Sequence, residues 1–227
     1  AIHADNTSQW VQCSNCNNDV TGFMQNGLAE AHWNRIKSPR EHPEWLVATS
    51  NYGCALKAMG MYREADAILR EVLDESMRRL GDRHQSTLLM KSHLASTLFG
   101  LGKHADAEAL LREVWSAQGD TDDALPTKSN LASVLSAQGR DAEAVALLRE
   151  VLKRQPRRLG AEHAHTMTTM ANLANSLTRL GHHAEAAARQ QEVLLMQKRV
   201  LGAKHPDTVL TLRNIAASTM SQEKYRE

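Results

Sequence analysis

The stretch Leu159–Ala186, LGAEHAHTMTTMANLANSLTRLGHHAEA, decides the fold because its parts recur along the chain in the same order. These parts are a Leu-Gly pair, a histidine, an Asn-Leu-Ala element, a glycine and a Glu-Ala pair. Asn-Leu-Ala or Asn-Ile-Ala begins at residues 130, 172 and 214, so both intervals are 42 residues (172 − 130 and 214 − 172). A fixed period of this size predicts a repeat architecture.

Each repeat is predicted to form two helices joined by a tight turn. Leu173 and Leu177 share one helical face, and Ala174 is small enough for close helix contact. Gly181 ends this first helix because glycine accepts the left-handed conformation that closes a helix. The second helix must run antiparallel to the first because the turn is short. Neither helix can bury its apolar stripe alone, so we expect successive pairs to stack.

The array is expected to occupy residues 42–227, after an N-terminal cap or degenerate half-repeat at residues 1–41. Its repeats cover about 42–83, 84–120, 121–162 and 163–204, with a partial repeat at 205–227. The last five residues match Gly60–Glu64, so the chain stops one position before the equivalent of Ala65. We therefore expect the parent protein to continue with a second helix and further repeats.

The helices are expected at about 45–58, 62–80, 87–100, 104–117, 125–137, 141–158, 166–179, 183–200 and 208–221. An amphipathic helix at 20–36 precedes them, with Phe23, Leu28, Ala31 and Trp33 near one side. Gly119–Asp123 replaces the usual turn and shortens the second repeat by five residues (42 − 37), so its second helix should be short. The expected N-caps are Ser86, Asp123 and Asp207. Pro156 is expected to bend or break the end of its helix.

The residues around each turn glycine resemble a known repeat. Leucine stands eight residues before the glycine, alanine or glycine seven before it, and alanine five after it (Ala65, Ala107, Ala144 and Ala186). This pattern resembles the tetratricopeptide repeat, whose usual period is about 34 residues. The longer period here, with Leu-Gly-x-x-His-Pro-x-Thr complete at Leu201–Thr208, resembles the repeat domain of kinesin light chains. The resemblance implies an all-α, right-handed α-solenoid that acts as a protein–protein interaction scaffold.

The resemblance also implies where a ligand would bind. In tetratricopeptide domains the position nine residues before the turn glycine, here called position −9, faces the concave groove. That position holds Asn51, His93, Asn130, Asn172 and Asn214 in successive repeats. An asparagine amide both donates and accepts hydrogen bonds, so it can bind the backbone of an extended peptide. The alternative is that these side chains tie neighbouring first helices together.

Charge on the first helices indicates the kind of ligand. Chaperone-tail-binding relatives clamp a carboxylate with lysine at position −13, which here holds Val47, Leu89, Pro126, Thr168 and Leu210, so that clamp is absent. The groove of kinesin light chains accepts acidic peptides with an aromatic residue. Positive charge for such a peptide could come from Lys57, Arg179 and Arg213, unless these side chains are merely solvated.

We therefore expect a protein or peptide partner, acidic in character, bound in the concave groove. The alternative function is a structural or peripheral subunit of a larger multiprotein assembly, with contacts through the convex face or the ends. The net charge of +1 gives no global attraction to nucleic acid or membrane. No stretch approaches the roughly 18 apolar residues of a membrane span. The sequence identifies no compartment.

Histidines and cysteines are the residues that could bind a metal or take part in catalysis. His42, His84, His163 and His205 occur once per repeat, about 10 Å apart, so they cannot surround one ion and are expected to shape the turns. Cys13 and Cys16 form a C-x-x-C, which leaves open an incidental or structural role, a disulfide, or a metal site with His3 or a partner. Phosphate-loop, zinc-protease and dinucleotide motifs are absent, so we expect no enzymatic activity and no cofactor.

Overall fold

The computed structural model of the protein describes residues 22–36 and 44–224. These residues form ten α-helices and one 3-10 turn at Asp122–Ala124. The helices are α1 (Gly22–Ile36), α2 (Trp45–Ala58), α3 (Tyr62–Leu80), α4 (Gln85–Gly100), α5 (His104–Gln118), α6 (Leu125–Ala137), α7 (Asp141–Leu159), α8 (Ala164–Arg179), α9 (His183–Val200) and α10 (Pro206–Lys224). The predicted all-α fold is confirmed, and every helix lies within three residues of its predicted position.

The chain divides into two compact units, Ala1–Leu110 and Leu111–Glu227. In the first unit, α1 packs on α2, α2 on α3 and α3 on α4, and α2 also touches α4. In the second unit, α6 packs on α7, α7 on α8, α8 on α9 and α9 on α10, and α6 also touches α8. We call α2, α4, α6, α8 and α10 the first helices of their repeats. None of the helices in the described ranges has the length and hydropathy needed to cross a bilayer.

Small residues allow the two helices of each repeat to approach closely. The four expected packing alanines are fully buried or nearly so, which confirms the repeat register (Ala65, Ala107, Ala144 and Ala186). On α2 the small residue is Gly53, and a Cβ there would lie 2.8 Å from Cδ2 of Leu69. Leu69 is itself fully buried. Burial of each such leucine contributes about 1.5–3 kcal/mol, so the repeats are held together chiefly by this apolar seam.

Three turns between repeats are closed by one arrangement of glycine, histidine and threonine. The glycines have φ of 90°, 95° and 90° (Gly81, Gly160 and Gly202), a conformation that suits a residue without a Cβ. Each histidine side chain accepts a hydrogen bond through Nδ1 from the N–H two residues later, at 3.1, 3.2 and 3.3 Å (His84, His163 and His205). Each threonine hydroxyl donates to the glycine carbonyl (Thr87, Thr166 and Thr208). The expected turn role of these histidines is confirmed, whereas His42 lies outside the described residues.

This arrangement explains why the predicted N-caps Ser86 and Asp207 are wrong. His84 caps α4, and α10 begins at Pro206, directly after His205, so both helices begin two residues earlier than predicted. The backbone N–H groups of Ser86 and Asp207 donate to imidazole nitrogens instead. An unprotonated imidazole nitrogen is an acceptor, so it can replace the oxygen that serine or aspartate usually supplies.

The turn between α5 and α6 is closed by charged groups. Helix α5 has 15 residues where α3 and α7 each have 19, which confirms the expected shortening. The side chain of Lys128 is only 1% exposed, and its ammonium donates to Asp120 at 2.8 Å and to Glu150. The same ammonium lies 4.9 Å from the ring centre of Trp115. The Asp120 and Glu150 carboxylates and the Trp115 ring therefore compensate for the burial of this charge.

Asp123 is not the N-cap that the sequence predicted for α6. It lies within the 3-10 turn, and its carboxylate accepts a hydrogen bond from Arg158 at 2.8 Å. Ala124 occupies the cap position, and no side chain caps the helix there. The 3-10 turn leads directly into α6, so a side-chain cap is not needed at this point.

Two other helices differ from their predicted form. Helix α7 continues through Pro156 to Leu159, so the proline does not break the helix, and the Gly160 N–H donates to the Pro156 carbonyl at 2.9 Å at its end. Helix α1 packs against α2 through Trp33, whose ring stacks on Tyr52 with centroids 4.6 Å apart. Leu28 and Ala31 are exposed on α1, so Trp33 is the member of the predicted apolar side that makes the contact, and the side chain of Phe23 lies outside the described residues.

Candidate functional site

The side chains at position −9 lie on the first helices of both units. Asn51 on α2 and His93 on α4 belong to the first unit, and Asn130 on α6 and Asn172 on α8 belong to the second. Asn130 is exposed, and the other three are half-buried. Asn214 lies on α10, but its side chain is outside the described residues. The structure therefore describes two side chains of the predicted set on each unit.

Two of these side chains contact the neighbouring first helix. The amide Nδ2 of Asn172 donates to Ser133 Oγ at 3.1 Å. In the first unit, His93 Nδ1 lies 3.4 Å from Cys54 Sγ. Both pairs join position −9 of one repeat to position −6 of the repeat before it, and both span 39 residues (172 − 133 and 93 − 54). The alternative role, a tie between first helices, is thus present at Asn172 and His93. In each case the tie uses only part of the hydrogen-bonding capacity of the side chain.

His93 is held neutral by its surroundings. Burial, and then the positive charge of Lys57, lower the pKa of His93 to about 4. At neutral pH the imidazole therefore carries one donor and one acceptor nitrogen. Like asparagine, it offers both hydrogen-bonding functions at this position.

The three predicted cationic residues have different environments. Lys57 is half-buried, and its ammonium donates to Ser96 Oγ on the neighbouring first helix at 3.4 Å. Arg213 is exposed on α10. Arg179 donates from Nε and Nη2 to the carboxylate of Asp141 at 2.7–3.0 Å, while half of its side chain stays exposed. One edge of the Arg179 guanidinium, which was expected to contact a ligand, is thus already paired with Asp141.

Asp141 is the centre of a buried polar cluster that sequence reasoning missed. Its carboxylate also accepts a hydrogen bond from Ser136 Oγ at 2.7 Å, and Ser136 lies 2.8 Å from Ser176 Oγ. The cluster joins α6, the start of α7 and α8. Asp141 and Arg179 are 38 residues apart, close to the 42-residue period that relates neighbouring repeats. The period could therefore have indicated that these two residues of neighbouring repeats are in contact.

Acidic side chains are segregated from four of the first helices, whereas the fifth, α10, contains Asp207 and Glu223. Helices α2, α4, α6 and α8 contain no aspartate or glutamate, whereas α3, α5, α7 and α9 each contain between two and five. Polar groups on the first helices are mainly serine, threonine and asparagine. Apolar side chains at position −13 face solvent on α2 and α4, where Leu89 is 51% exposed and Val47 39%. In each unit the first helices thus carry hydrogen-bonding groups together with a cation. In the first unit this is Lys57, which has no described carboxylate partner, and in the second it is the half-exposed Arg179.

The described residues hold no cluster of metal-ligating side chains. Within residues 22–36 and 44–224, no three histidine, cysteine, aspartate or glutamate side chains come together in a way that could hold a metal ion. His163 and His165 stack with centroids 5.3 Å apart, but His163 serves as the cap of α8. His3, Cys13 and Cys16 lie outside the described residues, so the alternatives for the C-x-x-C stay open.

The repeats of this chain match a known repeat family. Family models described as tetratricopeptide repeat match residues 47–159 and 123–196. A search of curated protein sequences finds no match to this chain. The nearly identical TPR-like repeats of a Podosopora anserina protein named as a kinesin light chain are 24% identical, with a TM-score of 0.60, and the match covers 79% of this chain and 95% of that one.

Two other solved structures share the fold at lower identity. BtubC (BKLC) from P. vanneervenii is 17% identical, with a TM-score of 0.71, and the match covers 92% of this chain and 87% of that one. Bacillus thuringiensis PlcR, in complex with the peptide PapR7 and DNA, is 13% identical, with a TM-score of 0.62, and the match covers 87% of this chain and 69% of that one. At these identities the likeness concerns the fold.

Proposed function

The chain belongs to the tetratricopeptide repeat family, and from that premise we propose that it binds an extended, acidic polypeptide segment on the exposed faces of its first helices, in the concave groove of the array. The protein then acts as an interaction scaffold and catalyses no reaction. The same fold carries a bound peptide in the PlcR complex, which makes a peptide ligand a reasonable starting point.

The observation that carries this proposal is the absence of carboxylates from α2, α4, α6 and α8. The lysines and arginines of these four helices are Lys57, Lys91, Lys128 and Arg179. Carboxylates of turns and second helices pair with Lys91, Lys128 and Arg179, so Lys57 is the positive charge left for a partner. Its only hydrogen bond among those described is to the neutral hydroxyl of Ser96. An acidic ligand would be attracted to this face, and a basic one would find no counter-charge.

Arg179 can serve a ligand only through the part of its guanidinium that Asp141 leaves unused. Nε and Nη2 donate to Asp141, and Nη1 makes none of the described bonds. We assign to Nη1 a single contact with an acidic side chain. Reversal of this charge would also break the pair with Asp141, so it cannot separate binding from folding. Lys57 and Asn130 are better positions for a test.

Backbone recognition is assigned to position −9. Asn130 is exposed and has no described hydrogen bond, so both functions of its amide can meet a peptide group. Asn172 keeps its carbonyl oxygen and one amide hydrogen after its bond to Ser133. Asn51 and Asn214 hold the same position on α2 and α10, and Arg213 stands one residue before Asn214. Val47 and Leu89 offer an apolar surface for an aliphatic or aromatic side chain of the ligand.

The test is selection of a random twelve-residue peptide library displayed on phage against the immobilised wild-type protein. The enriched peptides should be rich in aspartate and glutamate. Fluorescence anisotropy with the most enriched peptide then compares variants. Lys57→Glu and Asn130→Asp should each weaken binding at least about tenfold, because a negative charge on the face repels an acidic ligand.

Matched control variants carry the same changes on second helices. Lys153→Glu on α7 and Gln191→Glu on α9 alter exposed side chains and should leave the affinity within about twofold of wild type. Equal melting temperatures would show that all four variants are folded. Binding that survives Lys57→Glu and Asn130→Asp but fails with the controls would place the partner on the second helices, as expected for a peripheral subunit of an assembly. Failure to enrich any peptide would also count against the proposal.

A further inference from the structure

We propose that Cys54 holds His93 in the tautomer that carries its proton on Nε2, so that His93 presents an N–H donor where other repeats have asparagine. Cys54 is then a positioning residue for the first-helix face of the first unit. The assignment of a ligand to that N–H rests on the proposed function. The tautomer itself does not.

The geometry comes from two neighbouring first helices. Cys54 on α2 is buried, and its sulfur lies 3.4 Å from His93 Nδ1 on α4, within hydrogen-bond range for sulfur. His93 is half-buried. Cys54 is therefore the more deeply buried member of the pair.

The direction of the hydrogen bond follows from the two chemical groups. An imidazole nitrogen with a lone pair is a good acceptor, whereas a thiol sulfur is a weak one. The favoured arrangement has the Cys54 S–H donating to Nδ1 of His93. A neutral imidazole has a single N–H, so its proton must then lie on Nε2.

A neutral ring is consistent with the charges around this pair. Lys57 is the positive group that acts on His93, and together with burial it lowers the pKa of the imidazole to about 4. Helices α2 and α4 carry no carboxylate that would favour the cationic form. His93 thus remains a one-donor, one-acceptor group through the physiological pH range.

The second unit repeats this contact with the opposite polarity. Ser133 occupies the place of Cys54 and Asn172 that of His93, with the same spacing of 39 residues. There the −9 side chain donates, from Nδ2 to Ser133 Oγ at 3.1 Å. Asn172 is left with its carbonyl oxygen and one N–H, whereas His93 is left with an N–H alone. The first unit should therefore select an acceptor, such as a ligand carbonyl or carboxylate, at this position.

The experiment is a long-range proton–nitrogen NMR correlation on the whole chain labelled with ¹⁵N-histidine, at pH 7. His93→Asn identifies the His93 signals by their loss. In wild type, Nε2 should show the chemical shift of a protonated ring nitrogen and Nδ1 that of an unprotonated one. Cys54→Ala should shift both signals toward a tautomer average, and Cys54→Ser, whose hydroxyl can donate to Nδ1, should restore the wild-type pattern. A wild-type ring protonated on Nδ1, or signals unchanged in Cys54→Ala, would overturn the proposal.

A second measurement tests the consequence for binding. The most enriched peptide from the library selection should bind Cys54→Ala about three- to tenfold more weakly than wild type, and Cys54→Ser within about twofold. An unchanged affinity in Cys54→Ala, with the tautomer altered, would remove His93 from ligand recognition. If wild type enriches no peptide, the proposed function fails while the NMR result still decides the tautomer. Melting temperatures of both variants show whether the cavity left by alanine has unfolded the first unit.

Discussion

The contact between α2 and α4 in the first unit and that between α6 and α8 in the second use the same repeat positions with different chemistry. Positions −9 and −6 are filled by His93 and Cys54 in one and by Asn172 and Ser133 in the other. Where the second unit has the Arg179–Asp141 ion pair, the first has a glycine facing Tyr62. The repeat period determines which positions contact each other. The side chains at those positions determine how much each contact stabilises the fold and which hydrogen-bonding groups remain for a ligand.

The largest difference in stability should come from Asp141. Asp141→Ala removes the acceptor of both Ser136 and Arg179 and should lower the free energy of unfolding by about 2–3 kcal/mol. Glu143→Ala on the same helix is the matched control, since its pair with Arg140 is exposed and should be worth less than about 1 kcal/mol. Urea unfolding of both variants measures the difference. Similar losses in the two would mean that the cluster contributes no more than a surface pair.

A pH dependence should distinguish the first unit. His93 has a folded pKa of about 4, below the ordinary value of 6.5, so the folded state disfavours the protonated ring. The stability from neutral His93 is complete above pH 6.5 and is lost as the pH falls toward 4. Over that range wild type should lose about 2 kcal/mol more than His93→Asn, since partial exposure reduces the full effect. Unfolding of both proteins at several pH values checks this, and parallel curves would contradict it.

Gly100 marks the place where the first unit replaces an ion pair with close packing. An added Cβ would overlap the ring of Tyr62, so Gly100→Ala should cost about 1–2 kcal/mol despite the better helix propensity of alanine. Tyr62→Ala should remove most of that cost when the two changes are combined. Gly27→Ala is the control, because a Cβ there meets no atom within 4 Å. Thermal melts of the four variants would show whether the overlap is real.

The turns should respond alike in both units, because they share the histidine cap. His84→Ala and His163→Ala should each lower the free energy of unfolding by about 1 kcal/mol. Asparagine at either position supplies another acceptor and should recover most of the loss. Chemical unfolding of the four proteins measures these small effects, and a cost confined to one unit would show that the caps are not equivalent.

The sequence predicted the helices well because the same pattern of residues recurs in several repeats. Leucine and alanine spacing set the buried faces, and glycines set the ends of the helices. It could not predict His84 as a cap, because histidine is an uncommon N-cap and Ser86 offered the usual chemistry. Hydropathy also places lysine on the surface, yet Lys128 is buried, because Asp120, Glu150 and Trp115 surround its ammonium.

The candidate site was predicted as positions with two alternative roles, ligand contact or a tie between first helices, but the partners in the ties were not identified. The −9 side chains lie on the first helices as expected, but Asn172 and His93 each meet a residue 39 positions earlier in the chain. The partner of Arg179 was missed because Asp141 begins a second helix, where an acidic residue is usually explained by the helix dipole. Contacts of this kind become visible only when the period is combined with helix packing.

Photo-crosslinking tests the proposed binding face most directly. The most enriched library peptide is synthesised with benzoylphenylalanine at one position, irradiated with the wild-type protein, and the attachment sites are identified by mass spectrometry. Binding to the first-helix faces predicts crosslinks on α2, α4, α6 or α8, near Val47, Leu89, Asn130 or Thr168. Crosslinks confined to second helices, for example around Lys153 on α7 or Leu195 on α9, would contradict it.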